Sequence, residues 1–503
     1  MYSTVYSGGI NGIGCYMAKV EIDLSRALPA WDMVGKLSHE VIEAKERVKV
    51  ALKNAGIVIP PLHITINISP ANIRKSGTGY DLPIALGIVT ALGFIPEDIL
   101  EGILVIGELG LDGSVAPVKG ILPIVSAAAA HGFKTCIVPN ENAAEASYAS
   151  GINVIGVSCF EEAMHTITDL SDASYVTPRN IAQMIATQDF EEDFSDVSGQ
   201  AVCKRAALIA AAGFHHMFIS GPPGSGKTMI AKRLRTIMPP LTVDECIEVS
   251  GIYSIAGKLT CDDPIITRRP YQSPHHAATL SSLTGGGYDL HPGILSLCHR
   301  GILFLDELPE FSRECIEALR EPLENKQIQM SRVSGSVSYP ADFLLVAAAN
   351  PCPCGFYPDR NRCNCTEHEI RRYNSRISGP IRDRIDIIVS SEKMDISGLT
   401  GSSDPNGSSE HMRGLVLKAR SIQEERFKNT PYRYNSHIRA ADIGHFCPLD
   451  EESMHYAEEV YRSMNLSARS YHKLLRVART IADLEESEHI RISDLAEAVC
   501  YRT

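Results

Sequence analysis

Apolar and polar residues change rhythm several times along the chain, and each rhythm predicts an element. Met17–Leu24 and His63–Ile68 alternate apolar with polar, the period of a half-buried strand. Val41, Ala44, Val48 and Leu52 recur at helical spacing between Ser38 and Asn54, and Gly56 follows as a stop signal. Tyr80 to Gly93 and the Ala-rich Ile121 to His131 read as apolar helices, and Ile103–Ile106 and Thr135–Val138 as strands. Residues 1–170 thus predict a mixed α/β domain. The polar, acidic stretch 171–195 predicts a linker between two apolar-rich regions.

Beyond it the apolar runs become short and unbroken. Met217–Ile219, Ile302–Leu305 and Phe343–Ala349 predict buried strands, the second buried on both faces as in a parallel sheet. A helix at Ala201 to Ala212 leads into the first. Glu324 to Tyr339 carries two alternating runs around Ser334-Gly335, a hairpin signal. Gly/Ser-rich 396–412 predicts a flexible linker, and helices follow at Gly414 to Asn429, Asp450 to Met464, Ala468 to Glu486 and Ser493 to Tyr501. The expectation is an α/β multidomain chain with a parallel-sheet core at 196–395 and a helical region at 413–503.

Composition narrows the class. The 503 residues are 44% hydrophobic and 21% charged, as in soluble globular proteins. A net charge of -12 excludes a polybasic protein, though a local basic lining on an acidic body remains compatible with nucleic acid. No run approaches the roughly 18 apolar residues of a membrane span. Met1–Gly8 lacks the basic and apolar regions of a signal peptide, so a cytoplasmic protein with no membrane partner is expected.

The chemistry concentrates in four places. Gly221, Pro222, Pro223, Gly224, Ser225, Gly226, Lys227 and Thr228 form G-x-x-x-x-G-K-T between a strand and a helix. In that context backbone N–H groups and a helix N-terminus make a nest for phosphate, Lys227 reaches the β- and γ-phosphates, and Thr228 offers its hydroxyl to Mg²⁺. Asp306 and Glu307 end a buried strand, where open α/β sheets place ligands; they suit a Mg²⁺ carboxylate and a general base for water. Asn350 ends another strand and is either a water-orienting group or a satisfied strand-end amide. Cys352, Cys354, Cys363 and Cys365 make two C-x-C pairs, either a tetrahedral Zn²⁺ site or four reduced thiols. The adjacent pair His275 and His276 suits a loop-structuring role better than a metal site.

Two resemblances extend this reading. Lys75–Ala85, Gly107–Pro117 and His131–Pro139 resemble the Lon-protease-type domain. Laid on this chain, that family's serine position falls at Asp81 and its lysine near Leu122, which implies a proteolytically inert domain. Off-motif pairs of Ser76 with Lys75 or Lys119 are the alternative. The whole chain is similar to the ComM/YifB group of magnesium-chelatase-like AAA+ proteins: an inactive Lon-protease-like α/β domain, an AAA+ P-loop core, and a C-terminal helical lid. That resemblance makes Asn350 sensor 1, Arg384 of Ser378–Asp386 an arginine finger given to the neighbouring subunit (with Arg382 as fallback), and Arg469 a sensor 2 that meets the γ-phosphate. The hairpin becomes a pore element on which Lys326 and Arg332 contact DNA phosphate or are solvated edge charges. The resemblance implies a hexameric ATPase, with ATP and Mg²⁺, acting on single-stranded or branched DNA in recombination and natural transformation. A metal-chelatase motor and a nucleotide-gated protein-binding scaffold are the other classes.

Overall fold

The computed structural model describes residues 1–502 except 288–289, 333–334 and 393–406; at 332 and 335 it describes the backbone alone. It is a mixed α/β chain built on two main sheets. In the first, β1 (Tyr2–Asn11) and β2 (Gly14–Ser25) form a long hairpin, joined by β3 (Ala30–Val34), β4 (His63–Ser69) and β5 (Ile103–Val105). Two small strands follow, β6 (Glu108–Leu109) and β7 (Val115–Ala116), then β8 (Thr135–Pro139) and β9 (Asn153–Val157). The seven-stranded order is β3-β4-β2-β1-β5-β8-β9, parallel from β1 through β5 and β8 to β9.

The second sheet holds the phosphate loop. β10 (Met217–Ser220) lies between β17 (Leu344–Ala349) and β18 (Ile387–Ser390), and beyond β17 come β14 (Ile302–Leu305) and β11 (Tyr271–Gln272). The order is β11-β14-β17-β10-β18, and every neighbour is parallel. All residues of β14 and β17 are buried, as their unbroken apolar runs require. Two ribbons stand apart: β12 (Gly285–Gly286) with β13 (His291–Pro292), and the expected hairpin, β15 (Gln327–Arg332) with β16 (Gly335–Pro340).

The C-terminal helices close one side of this sheet. Ser409–Arg426 and Ala468–Leu484 pack on the helix Ala201–Gly213, and their apolar faces share one core with β10 and β18. Gln423 donates to Ala212 O at 3.1 Å, and Phe214 stacks on Tyr434 with ring centroids 4.6 Å apart. The C-terminal end of the predicted flexible linker, from 409 to 412, is helical. The linker's residues 396–406 lie outside the described residues, but the helix begins at Ser409, capped by Ser408, whose hydroxyl accepts from His411 N–H. Asp193 accepts from Ser409 N–H at 3.2 Å, so a tertiary contact fixes the helix start. The predicted linker 171–195 is also structured, with a helix at Ile181–Ala186 that packs Met184 and Ile185 into a core. Phe190 lies under the guanidinium groups of Arg235, Arg268 and Arg413, at 5.9, 5.7 and 5.1 Å from its centroid.

The N-terminal sheet is fastened to the phosphate-loop sheet through the helices Ile121–Ala130 and Val243–Ile255. Leu241, Cys246 and Ile265 join the core of the first region. Buried Glu145 accepts from Leu122 N–H at 3.1 Å and from the Ser254 hydroxyl, while Gly120 N–H donates to Ser254 O at 3.0 Å. Leu122 is thus an apolar core residue of this junction. Asp81 begins the helix Asp81–Ala91, fully buried, and accepts two hydrogen bonds from Arg47 at 2.6 and 2.9 Å. Burial pushes its carboxyl above the usual range, against the pull of Arg47. Removing the guanidinium would leave that charge unpaired. Arg47→Ala is expected to cost about 3 kcal/mol at neutral pH. Without the guanidinium the carboxyl titrates higher still, so the loss shrinks as pH falls through that raised value, where the proton replaces the missing cation. Urea unfolding of the full chain at pH 7 and pH 4.5 checks both statements; equal losses at the two pH values would contradict them.

Candidate active site

The site forms where the parallel strands end. β10 runs into the phosphate loop, and Gly226, in the left-handed region at φ 85°, turns the chain into the helix Lys227–Ile237. A cleft of about 440 Å³ opens there, lined by Pro223 to Met229, Asp306, Glu307, Ala349 and Asn350. Every predicted phosphate-loop and strand-end residue except Gly221 and Pro222 lines it. Those two lie deeper and accept hydrogen bonds from Lys227 Nζ at 2.7 and 2.9 Å. Nζ also donates to Asn350 Oδ1 at 3.2 Å. Lys227 is 8% exposed, and burial lowers the pKa of its ammonium against the pull of Asp306 and Glu307. A desolvated cation resting on neutral oxygens is set to bind an anion.

Thr228 Oγ1 donates to Asp306 Oδ2 at 2.8 Å. A hydroxyl and a carboxylate facing the same cleft are the hard oxygen donors that Mg²⁺ takes, so these residues fit that ion. Glu307 has φ 51°, an unusual conformation for a carboxylate residue, which turns it out of the strand line. Its side chain is 52% exposed, with His276 Nδ1 3.8 Å away. The two adjacent histidines have ring centroids 4.0 Å apart, and His275 Nδ1 accepts from Ala277 N–H at 3.2 Å. The loop-structuring role holds for His275, while the approach of His276 to Glu307 was not foreseen. Gln200 is a second residue that sequence reasoning missed. Its amide donates to Ser225 O at 3.1 Å and Glu392 O at 2.5 Å, bracing the loop from behind.

The two predicted arginines lie elsewhere. Neither Arg384 nor Arg469 lines the cleft. Both meet Glu324: Arg384 is 7% exposed and ion-paired with it, and Arg469 Nη2 lies 3.5 Å from its other oxygen. Arg469 is thus held at Glu324, outside the cleft of its own chain. Arg382 is exposed and donates to Asn374 O at 3.1 Å. Lys326 sits at the base of the hairpin with Nζ 3.7 Å from Asp342 Oδ1. The side chain of Arg332 lies outside the described residues.

The four clustered cysteines come together after β17. Their Sγ atoms lie within 4.8 Å of one another, with separations of 3.4, 3.7 and 3.5 Å among Cys352, Cys354 and Cys363. Thiolates at about 2.3 Å from a tetrahedral Zn²⁺ are about 3.8 Å apart, so the donor set fits that ion. The loop also presses on the phosphate loop: a Cβ on Gly355 would come within 2.5 Å of Pro223 Cδ.

Three family models match the chain in sequence order. Residues 20–142 match "Subunit ChlI of Mg-chelatase", 193–399 match "Magnesium chelatase, subunit ChlI", and 406–502 match "Magnesium chelatase, subunit ChlI C-terminal". The uncharacterized protein YifB of Salmonella typhimurium is 37% identical over 99% of this chain and 96% of its own length. The competence protein ComM of Haemophilus influenzae is 36% identical over 99% of this chain and 97% of its own. The chain belongs to the magnesium-chelatase-like ComM/YifB family. Lon protease 2 of Bacillus subtilis is 33% identical over 24% of this ComM/YifB-type chain and 22% of its own length, in keeping with the Lon-type resemblance of the first region. Among the described residues no helix is long and apolar enough to cross a membrane.

Family membership and the cleft together support ATP binding and hydrolysis. Glu307→Gln keeps the shape of the cleft but removes the basic oxygen. It is expected to bind ATP and to lose at least about 10²-fold in turnover, measured by nucleotide binding and steady-state phosphate release.

Proposed function

We propose that this protein is a ring-forming ATPase that converts hydrolysis into movement on single-stranded or branched DNA during recombination and uptake of DNA. The observation that carries the ring is the separation of the site's parts. The phosphate loop, Asp306, Glu307 and Asn350 share one cleft, whereas Arg384 and Arg469 are held together away from it at Glu324. A hydrolytic site that needs guanidinium charge on the transferred phosphoryl group is then completed by the next subunit. In this reading Lys227 and the loop N–H groups hold the triphosphate, and Thr228 and Asp306 hold Mg²⁺, which neutralises phosphate charge. Glu307 accepts the proton of the attacking water, Asn350 orients that water, and Arg384 and Arg469 arrive from the neighbour.

DNA as the client rests on the likeness to a competence protein and on the hairpin β15–β16. The hairpin's outward residues Gln329, Ser331, Ser336 and Ser338 are polar and uncharged, suited to hydrogen bonds with a sugar–phosphate strand. The first region acts as an inert docking domain, with Asp81 committed to Arg47. The Cys352, Cys354, Cys363 and Cys365 cluster holds a structural Zn²⁺ that stiffens the loop behind Asn350.

Steady-state ATPase with single-stranded, duplex and branched DNA tests the client. Stimulation that fades between low and moderate salt is expected; turnover indifferent to every DNA would move the assignment to a tetrapyrrole or protein client. Mixing tests the ring: Arg384→Ala, inactive alone, should recover activity when mixed with Lys227→Ala, and no recovery at any ratio would refute a shared site. Metal analysis tests the cluster: about one zinc per chain is expected, lost in Cys352→Ser together with thermal stability.

A further inference from the structure

We propose that Glu324 is a positioning residue for the ATPase reaction: it pairs Arg384 with Arg469 and hands their release to the hairpin β15–β16. The inference rests on the reading that these arginines serve a neighbouring subunit's nucleotide.

Each oxygen of the carboxylate has its own arginine. Oε2 is ion-paired with Nη2 of Arg384, and Oε1 lies 3.5 Å from Nη2 of Arg469. Two guanidinium groups at that distance from one another's partner repel unless an anion sits between them. Glu324 is that anion, and Arg384 first, then Arg469, hold it below the usual carboxylate range. Arg384 is otherwise poorly served. Nη1 donates to Pro380 O at 2.7 Å, but Nε is buried and has no hydrogen-bond partner among the described residues. A nearly buried cation with one unmet N–H is held, not satisfied, and a phosphate offers more acceptor oxygens than one carboxylate.

Glu324 also lies one residue from the end of the helix Arg320–Asn325, where Lys326 takes the left-handed conformation at φ 58° and leads directly into β15. One hydrogen bond joins this helix to the ribbon directly and two more run through Lys326 between them. Lys326 N–H donates to Pro322 O at 2.9 Å, Ala341 N–H donates to Lys326 O at 2.8 Å, and Gln329 N–H donates to Glu321 Oε1 at 3.2 Å. When a neighbour's triphosphate takes the arginines, Glu324 loses both cations and faces like charge, so it withdraws. The helix end then moves, and the ribbon bonded to it moves with it.

The test uses the full-length assembled protein and three variants: Glu324→Gln, Glu324→Asp and Arg384→Ala. Turnover and KM for ATP are measured with DNA present, and hydrogen exchange of residues 327–332 is followed with and without a non-hydrolysable ATP analogue. Glu324→Gln is expected to lower kcat about tenfold with KM for ATP within about twofold, and to abolish the nucleotide-dependent exchange in the hairpin. Glu324→Asp, which keeps the charge, is expected to retain most of both. A Glu324→Gln protein whose hairpin responds like wild type overturns the proposal, as does equal loss in Gln and Asp, which marks a merely structural contact. Full turnover in Arg384→Ala would overturn the shared-site reading instead, so the two failures are distinct.

Discussion

In the five-stranded parallel sheet, β14 and β17 are buried on both faces and leave no position along their length for a charge. β14 and β17 are apolar from end to end, and β10 alternates buried with half-buried residues. Polar chemistry is therefore displaced to the strand ends, and because the strands are parallel, the ends coincide. Ser220 leads into the phosphate loop, Leu305 into Asp306 and Glu307, Ala349 into Asn350, and Ser390 into Ser391. The register that pairs Ser220 with Ala349 and Ser390 brings three of these ends level. Ser391 then bonds the Ser225 hydroxyl at 2.7 Å, and Lys227 reaches Asn350. The site follows from the sheet.

Two clusters of buried charge sit at the opposite ends of the same strands. Asp342, just before β17, accepts from Arg300 Nη1 at 2.7 Å, with His437 Nε2 at 3.5 Å and Lys326 Nζ at 3.7 Å. Burial pushes its carboxyl up, but His437, Lys326 and Arg300 outweigh this and hold it well below the ordinary range. Asp386, just before β18, is likewise held low by Lys473, at 3.3 Å, and by His215 and His216, against the effect of burial. These clusters join the sheet to the hairpin base and to the C-terminal helices. A buried pair of this kind is costly to break one partner at a time, so the elements are fixed in register with one another.

What was legible in the sequence was local. The phosphate loop, Asp306–Glu307, the cysteine pairs and the hairpin are contiguous stretches whose chemistry dictates their backbone, and each lies where its flanking strand predicted. The partners of the arginines and of Lys326 were not legible in the same way, because a cation in sequence does not name its anion. Arg384 and Glu324 are 60 residues apart, and nothing between them announces the pair. Composition alone did not announce the helical residues within the two stretches read as linkers. The start of the helix at Ser409 depends on Asp193, 216 residues away. The helix Ile181–Ala186 left a readable trace, since Ile181, Met184 and Ile185 stand at helical spacing within an otherwise polar stretch.

The same logic bears on how the two regions communicate. The N-terminal region is joined by a shared apolar core and a buried carboxylate, Glu145, whose Oε1 accepts from both sides of the junction. Its contact runs through the helix Val243–Ile255, which follows the phosphate-loop helix after a short turn. A second contact lies at the hairpin: Ile10 of β1 and Val337 of β16 pack against one cluster, and a Cβ on Gly12 would stand 1.8 Å from Val337 Cγ1. A close-packed interface has little slack to absorb displacement. The N-terminal region, whose Asp81 is no nucleophile, is therefore tied by close packing both to the hairpin and to the helix that follows the phosphate-loop helix.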